Sequence, residues 1–268
     1  MQAGKDQIPK DKVQSQNPGL KDEEKAFDFK SLHFGWFVGH ALAVLCCGFF
    51  VISNLFFHPL GFFYRAAYLG IVASYGIVLW NSYKPLTNNE FDYKRVLLDE
   101  NTQYLIVAVF FLFSTRIAVT LIPFFIYSVF HVLEFVNTDL IPNLAPHQTK
   151  MQSTINDIIT KYHDKSMALV AKIEVCGVMA RLVLGLFVFQ SSVLSVLVYT
   201  QFLRMRYYMS GYTREFLNEL GTKTDRALTP PTAHPKIPPA VINAYATLKE
   251  KLNLGAQPIP ATTAKKTL

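Results

Sequence analysis

Apolar residues in this chain come in long unbroken blocks, not in the alternation of strands or the narrow stripes of surface helices. Leu32 to Phe57 runs for 26 residues without Lys, Arg, Asp or Glu. Phe62 to Trp80 follows after the link His58-Pro59-Leu60-Gly61, and Tyr104 to Val136 and Val175 to Phe202 complete the set. A run of about 20 apolar residues spans the hydrocarbon of a bilayer. The pattern predicts an all-α integral membrane protein: a helical hairpin, further transmembrane helices to about four crossings, and interfacial amphipathic helices. A β-barrel is excluded, because barrel strands alternate apolar and polar over about 10 residues.

The four-residue link is too short to hold a domain, so the first two blocks form a hairpin whose helices return to one side. Residues 81–103 form a polar loop with Lys84, Lys94 and Arg95, and the positive-inside tendency places that loop and the N-terminus in the cytoplasm. The third block would be about 50 Å long if helical throughout, too long for one upright crossing. Arg116 and Pro123 interrupt it. It is either one crossing with an interfacial extension or a shallow hairpin turning near Ser114-Thr115-Arg116. A shallow hairpin there would require the last block to be re-entrant; a single crossing gives four in all and is the preferred reading.

Outside the blocks the periodicity changes. Met151, Ile155, Ile158, Ile159 and Tyr162 recur at helical spacing against Asp157, Lys161 and Asp164, predicting an amphipathic helix over 148–166 that runs on into the last block. Lys172, Glu174 and Arg181 stand at that entry, leaving Leu182 to Phe202 as the deepest part. Tyr212, Phe216, Leu217 and Leu220 repeat on one helical face. A Pro-rich stretch then opens a final helix, Ala240 to Leu254, closed by Gly255. Val241, Tyr245, Leu248 and Leu252 share a sector of it, suited to insertion into a headgroup layer or to a partner's groove. The expected divisions are a disordered cytosolic tail (1–31), a transmembrane domain (32–202), a basic juxtamembrane amphipathic segment (203–229), and the Pro-rich linker with its helix (230–268).

Charge sharpens this picture. The first 31 residues balance six Lys against six Asp or Glu, whereas residues 203–268 hold ten Lys or Arg against four acids. Nearly all of the net +7 therefore lies in the C-terminal tail. Basic residues beside a span favour the anionic cytoplasmic leaflet by about 1 kcal/mol each, and Arg204, Arg206, Tyr207, Arg214 and Phe216 are the expected interface residues. Nucleic acid is not an expected partner, since no recognised fold accompanies the charge.

Signatures of chemistry are absent. No Walker loop, G-x-S-x-G, H-E-x-x-H or dinucleotide fingerprint occurs, and no cofactor or metal is expected. Cys46, Cys47 and Cys176 lie inside apolar blocks without CxxC spacing, as core residues do. His131 and Glu134 share a helical face, too few ligands for a metal site. Intramembrane charges are functional candidates by default, so an alternative reading is a small transporter, channel or lipid-handling enzyme using His131, Glu134 and Arg116. The leading reading is non-enzymatic: a tight hairpin and several interfacial helices place unequal bulk in the two leaflets.

Particular runs carry a resemblance. They are Tyr64-Arg65-Ala66; Leu97-Leu98-Asp99-Glu100 with Tyr104-Leu105; Ile122-Pro123 leading to His131; Phe202-Leu203-Arg204-Met205-Arg206-Tyr207; and Arg214-Glu215-Phe216-Leu217-Asn218-Glu219-Leu220. With these the chain resembles the transmembrane protein 33 family, which includes fungal pore-membrane nucleoporins, over roughly residues 60–220. The resemblance implies a multi-pass, non-enzymatic protein of the endoplasmic reticulum and nuclear envelope. It also implies association with reticulon-type shaping proteins and nuclear pore components. In fungal relatives a C-terminal amphipathic helix is linked to an importin-type receptor and to curved membrane, and Ala240 to Leu254 occupies the matching position.

Overall fold

A computed structural model describes residues 28–57, 60–84, 93–228 and 238–255, with the side chains of 248–255 outside that description. Among the described residues every regular element is helical, as expected for an all-α membrane protein. Most of the expected N-terminal tail and the Pro-rich linker fall outside the described residues.

The first two blocks are α1 (Leu32–Leu55) and α2 (Gly61–Tyr83). Ser31 caps α1, its hydroxyl accepting from the Phe34 N–H, which satisfies one of the orphan donors of the first turn. The two helices touch backbone to backbone at Gly39 and Gly70. A methyl at Gly70 would stand 2.5 Å from the Gly39 carbonyl oxygen, and one at Gly39 would stand 2.7 Å from that of Gly70. Small residues at such crossings are how membrane helices gain contact where lipid offers no hydrophobic drive. The Ser74 hydroxyl adds a bond to the Trp36 carbonyl at 2.9 Å.

A short helix α3 (Tyr93–Leu97) leads to α4 (Glu100–Phe113), α5 (Leu121–Phe135) and α6 (Ile141–Leu144). The third apolar block is thus two antiparallel helices, not one continuous helix. The chain leaves α4 in extended geometry at Ser114, makes one 3-10 turn at Ala118–Thr120, and re-enters a helix with Pro123 in its first turn, where a missing N–H costs nothing.

The expected amphipathic helix is α7 (Thr149–Lys172), and it continues through a π-helical turn at Ile173–Val178 into α8 (Met179–Phe187). The last block also departs from a straight span. It turns at Val188–Ser192 and returns as α9 (Val193–Met209). Here the Gly185 carbonyl accepts from the N–H groups of both Gln190 and Ser191, and the Ser192 hydroxyl caps α9 at the Ser195 N–H. Backbone N–H groups thereby close the end of α8, and the Ser192 side chain satisfies the start of α9. Then come α10 (Gly211–Leu228) and α11 (Pro239–Gly255).

The result is three helical hairpins that turn at the same end. The Arg116 side chain lies against Gly61. The α9 helix runs antiparallel to α4: Arg206 meets Glu100, the Phe202 ring meets Tyr104, and the Tyr199 ring meets Phe111. The α1, α2 and Ala118–Leu144 segments are each long and apolar enough to cross a bilayer, and α4 is a shorter apolar helix. The interior is aromatic, with Tyr64, Tyr68, Tyr75, Tyr104, Phe111 and Phe202 all buried. The outward faces are apolar as well. Leu45, Phe49, Ile52, Leu69, Leu184 and Leu197 are all exposed, the inverse of a soluble fold and the signature of a lipid-facing surface.

Candidate functional site

The most heavily built polar site lies at the end of the bundle opposite the turns. Its centre is Glu174, fully buried in the π-helical turn. Glu174 follows the buried Met167, Val170 and Ala171 at helical spacing, so the inward face of α7 carries it into the bundle. Its Oε2 accepts from Arg206 Nε at 3.3 Å and its Oε1 accepts from the Tyr104 hydroxyl at 2.8 Å. The Tyr199 hydroxyl donates to its backbone carbonyl at 3.3 Å.

Arg206 sits between acids and rings. Its Nη1 pairs with Glu100, the first residue of α4, its Nη2 donates to the Tyr127 hydroxyl at 3.1 Å, and its Cζ lies 5.1 Å from the Tyr104 ring centroid. The Tyr104 and Tyr127 hydroxyls are 2.9 Å apart. Because Tyr104 has one proton and gives it to Glu174, Tyr127 supplies the proton between the two rings. Every charge in the cluster is therefore satisfied, as a desolvated ion pair requires.

A cavity of about 300 Å³ opens beside this cluster. Tyr75, Tyr104, Tyr127 and Phe130 supply its rings, and Glu100, Glu134, His131 and His163 its polar edge. Behind His131 lies the tilted His40 ring, which the Trp36 ring meets edge-on, and His40 Nδ1 bonds the Ser128 hydroxyl at 3.0 Å. Among the described residues no group of three or more metal-ligating side chains gathers.

The two residues named for transport, His131 and Glu134, share this cavity, but Arg116 does not. Arg116 stands exposed at the turn end, 15 residues before His131, or roughly 20 Å along the helix. The three do not form one site.

Among the expected interface residues, Arg204 and Arg214 are exposed and Tyr207 and Phe216 half-buried. Arg206 departs from the expectation. At 2% exposure it is buried, because its guanidinium is committed to Glu174 and Glu100 and not to lipid phosphate. On α11, Val241 is exposed, and the Tyr245 hydroxyl donates to Asp225 on α10 at 2.8 Å. The side chains of Leu248 and Leu252 lie outside the described residues. A further tie joins the tail to the bundle, since the Tyr212 hydroxyl donates to Asp164 on α7 at 2.7 Å. That bond, with help from His163, holds the Asp164 carboxyl below the usual carboxylate range and raises the Tyr212 phenol.

Sequence reasoning did not reach Glu174 as the centre. Its signal was a lone acid at the edge of an apolar block, grouped with Lys172 and Arg181. The three diverge in the structure: Lys172 is exposed, and Arg181 bonds Gln190 at 2.7 Å.

The runs that carried the resemblance fall at the junctions of this architecture. Arg65 donates to the carbonyls of Phe111 and Ser114 at 3.2 and 2.7 Å, capping the end of α4. Tyr64 and Tyr68 both bond the Thr120 hydroxyl, at 3.2 and 2.7 Å. Asp99 caps the start of α4 through the N–H groups of Asn101 and Thr102.

Comparison with known proteins agrees with this placement. A family model described as Transmembrane protein 33/Nucleoporin POM33 matches residues 15–253. The Pore membrane protein of 33 kDa from Saccharomyces cerevisiae is 30% identical over 83% of each chain. Nucleoporin POM33 from Chaetomium thermophilum is 34% identical over 76% of this chain and 81% of its own. Tetra-spanning protein 1 from Schizosaccharomyces pombe is 28% identical over 89% of each. No solved structure matches.

Proposed function

The chain belongs to the Transmembrane protein 33/Nucleoporin POM33 family, and from that premise we propose that it is a non-enzymatic pore-membrane protein of the endoplasmic reticulum and nuclear envelope that favours curved bilayer. The names of its relatives support the pore-membrane role. The observation that carries the curvature reading is the unequal distribution of helix along the bundle axis. Three hairpins narrow to turns at one end, whereas α7, α10 and α11 gather around the other.

Each of the first and third turns presents a Phe in left-handed geometry, Phe57 and Phe189, at 92% and 97% exposure. A left-handed conformation costs a non-glycine residue about 1–2 kcal/mol. With Phe56, Phe187, Val188 and Leu194 around them, also exposed, these tips form apolar wedges suited to acyl chains. On the opposite side, Arg204 and Arg214 suit anionic headgroups. The Val241, Tyr245, Leu248 and Leu252 sector suits shallow insertion or docking of a partner, with reticulon-type, importin-type and nuclear pore proteins as the candidates implied by the resemblance.

Reconstitution of the full chain into liposomes of graded diameter, with and without anionic lipid, tests the reading. Preferential recovery in small anionic vesicles, or tubulation at high protein density, supports it. Equal recovery at all diameters refutes the curvature part and leaves a partner-recruiting scaffold.

A further inference from the structure

We propose that the cavity between α2, α4, α5 and α7 binds an alkylammonium group of the kind carried by choline and ethanolamine phospholipids. Four aromatic rings, those of Tyr75, Tyr104, Tyr127 and Phe130, line it, and the carboxylates of Glu100 and Glu134 border it. No Lys or Arg lines it. Arg206 lies behind the Tyr104 ring, where it is neutralised by Glu174 and shared with Glu100. Tyr75 and Tyr104 stack on each other, so the half-buried Tyr127 and Phe130 rings and net negative charge are what the wall presents to a visitor. That combination attracts an ammonium ion through the ring quadrupole and Coulomb attraction together, and it repels phosphate.

Size and depth agree. About 300 Å³ stands at the small end of ligand cavities, enough for a headgroup and not for a whole lipid. The cavity also lies where headgroups lie. Glu100 opens α4, and Tyr75 stands eight residues before the end of α2, about 12 Å along the helix. Ile159 and Met167 of the amphipathic α7 give one side an apolar lining, which suits the first carbons of a lipid. A soluble amine would offer the same ammonium chemistry without the acyl chains. The site stands whether or not the protein bends membrane.

The test is native mass spectrometry of the full chain released from detergent. Phosphatidylcholine, phosphatidylethanolamine and phosphatidylglycerol of identical acyl chains would be supplied in equal amounts. The expected result is about tenfold greater retention of the two ammonium lipids over phosphatidylglycerol, and loss of that preference in a Glu134→Gln/Phe130→Leu variant. Glu219→Gln on α10 serves as the control and keeps the preference. Thermal unfolding of each variant shows that the fold is intact. Added phosphocholine that displaces retained lipid supports the site and assigns it to the ammonium from either source. Failure to displace, with the lipid preference intact, supports the site and assigns it to lipid. Equal retention of phosphatidylglycerol by the wild type, or an unchanged preference in a folded double variant, overturns the proposal.

Discussion

Arg206 and Glu174 stand 32 positions apart in the chain and meet inside the bundle at 3.3 Å, each almost fully buried. The contact joins the π turn before α8 to the last turn of α9, so it closes the third hairpin at the end opposite its tip. Removing Arg206 leaves Glu174 buried without a countercharge, whereas removing Glu174 leaves Arg206 with Glu100. Arg206→Leu alone is expected to destabilise the protein by about 3–5 kcal/mol, Glu174→Leu by less, and the double replacement to recover most of the Arg206→Leu loss. Thermal unfolding in detergent micelles measures both. Additive losses in the double variant would show that the pair is not coupled.

Arg65 does comparable work at the turn end. Its two bonds to the carbonyls of Phe111 and Ser114 cap α4 where the helix stops without a glycine. Charged hydrogen bonds of this kind contribute about 1.5–3 kcal/mol each. Arg65→Met should therefore speed amide hydrogen exchange across residues 111–120 while leaving α1 unchanged, and Arg65→Lys should recover part of the protection. Uniform acceleration over the whole bundle would contradict a local capping role.

The hairpin of α1 and α2 was legible because period and length both pointed to it: two uncharged runs and a link with Pro and Gly. The α7 helix and its continuation into the last block were legible from the spacing of Met151, Ile155 and Tyr162. The breaks inside the third and fourth blocks were harder to read. Ser114-Thr115-Arg116 and Gln190-Ser191-Ser192 are brief polar interruptions, and in sequence such a triplet reads equally as a turn or as polar positions facing the interior of a bundle. Only the backbone bonds that they complete, such as Gln190 N–H to Gly185, mark them as turns. Arg206 was misplaced for a related reason. A basic residue after a span reads as a lipid anchor, and its true partner is an acid 32 positions earlier that nothing in the spacing pairs with it. The cavity escaped notice because Tyr75, Tyr104 and Tyr127 read as membrane-interface rings one at a time, and nothing in their spacing says that they converge.

Gly39 and Gly70 set the separation of α1 and α2. Any side chain at Gly70 would press on the opposing backbone, which cannot move aside as a flexible side chain would. Gly70→Val should push the helices apart, break the bond from the Ser74 hydroxyl to Trp36, and cost at least the 1–3 kcal/mol or so typical of overpacking. Gly76, which faces open space, is the matched control, and Gly76→Val should be much milder. Disulfide trapping between cysteines placed on the two helices reads the separation directly, with equal trapping in both variants counting against the contact.

The last prediction concerns acid. Asp164 and Tyr212 tie α10 to α7, and the tyrosine hydroxyl, aided by His163, holds the Asp164 carboxyl below its ordinary range. A carboxyl whose folded pKa is depressed stabilises the folded arrangement above its unfolded value, about 3.9. That contribution is lost as pH falls through the folded value. Docking of α10 should accordingly be flat with pH from about 8 to 5 and weaken only below about 4, where protonation turns the acceptor into a neutral acid. Both groups are solvent-accessible, so the effect is confined to this contact. Asp164→Asn should remove the acid dependence, and Tyr212→Phe should raise the carboxyl part of the way to its ordinary range, with the His163 bond remaining. Distances between spin labels on α7 and α10, followed from pH 7 to pH 3, give the answer. Loosening that begins well above pH 5 would count against the carboxylate as the group responsible.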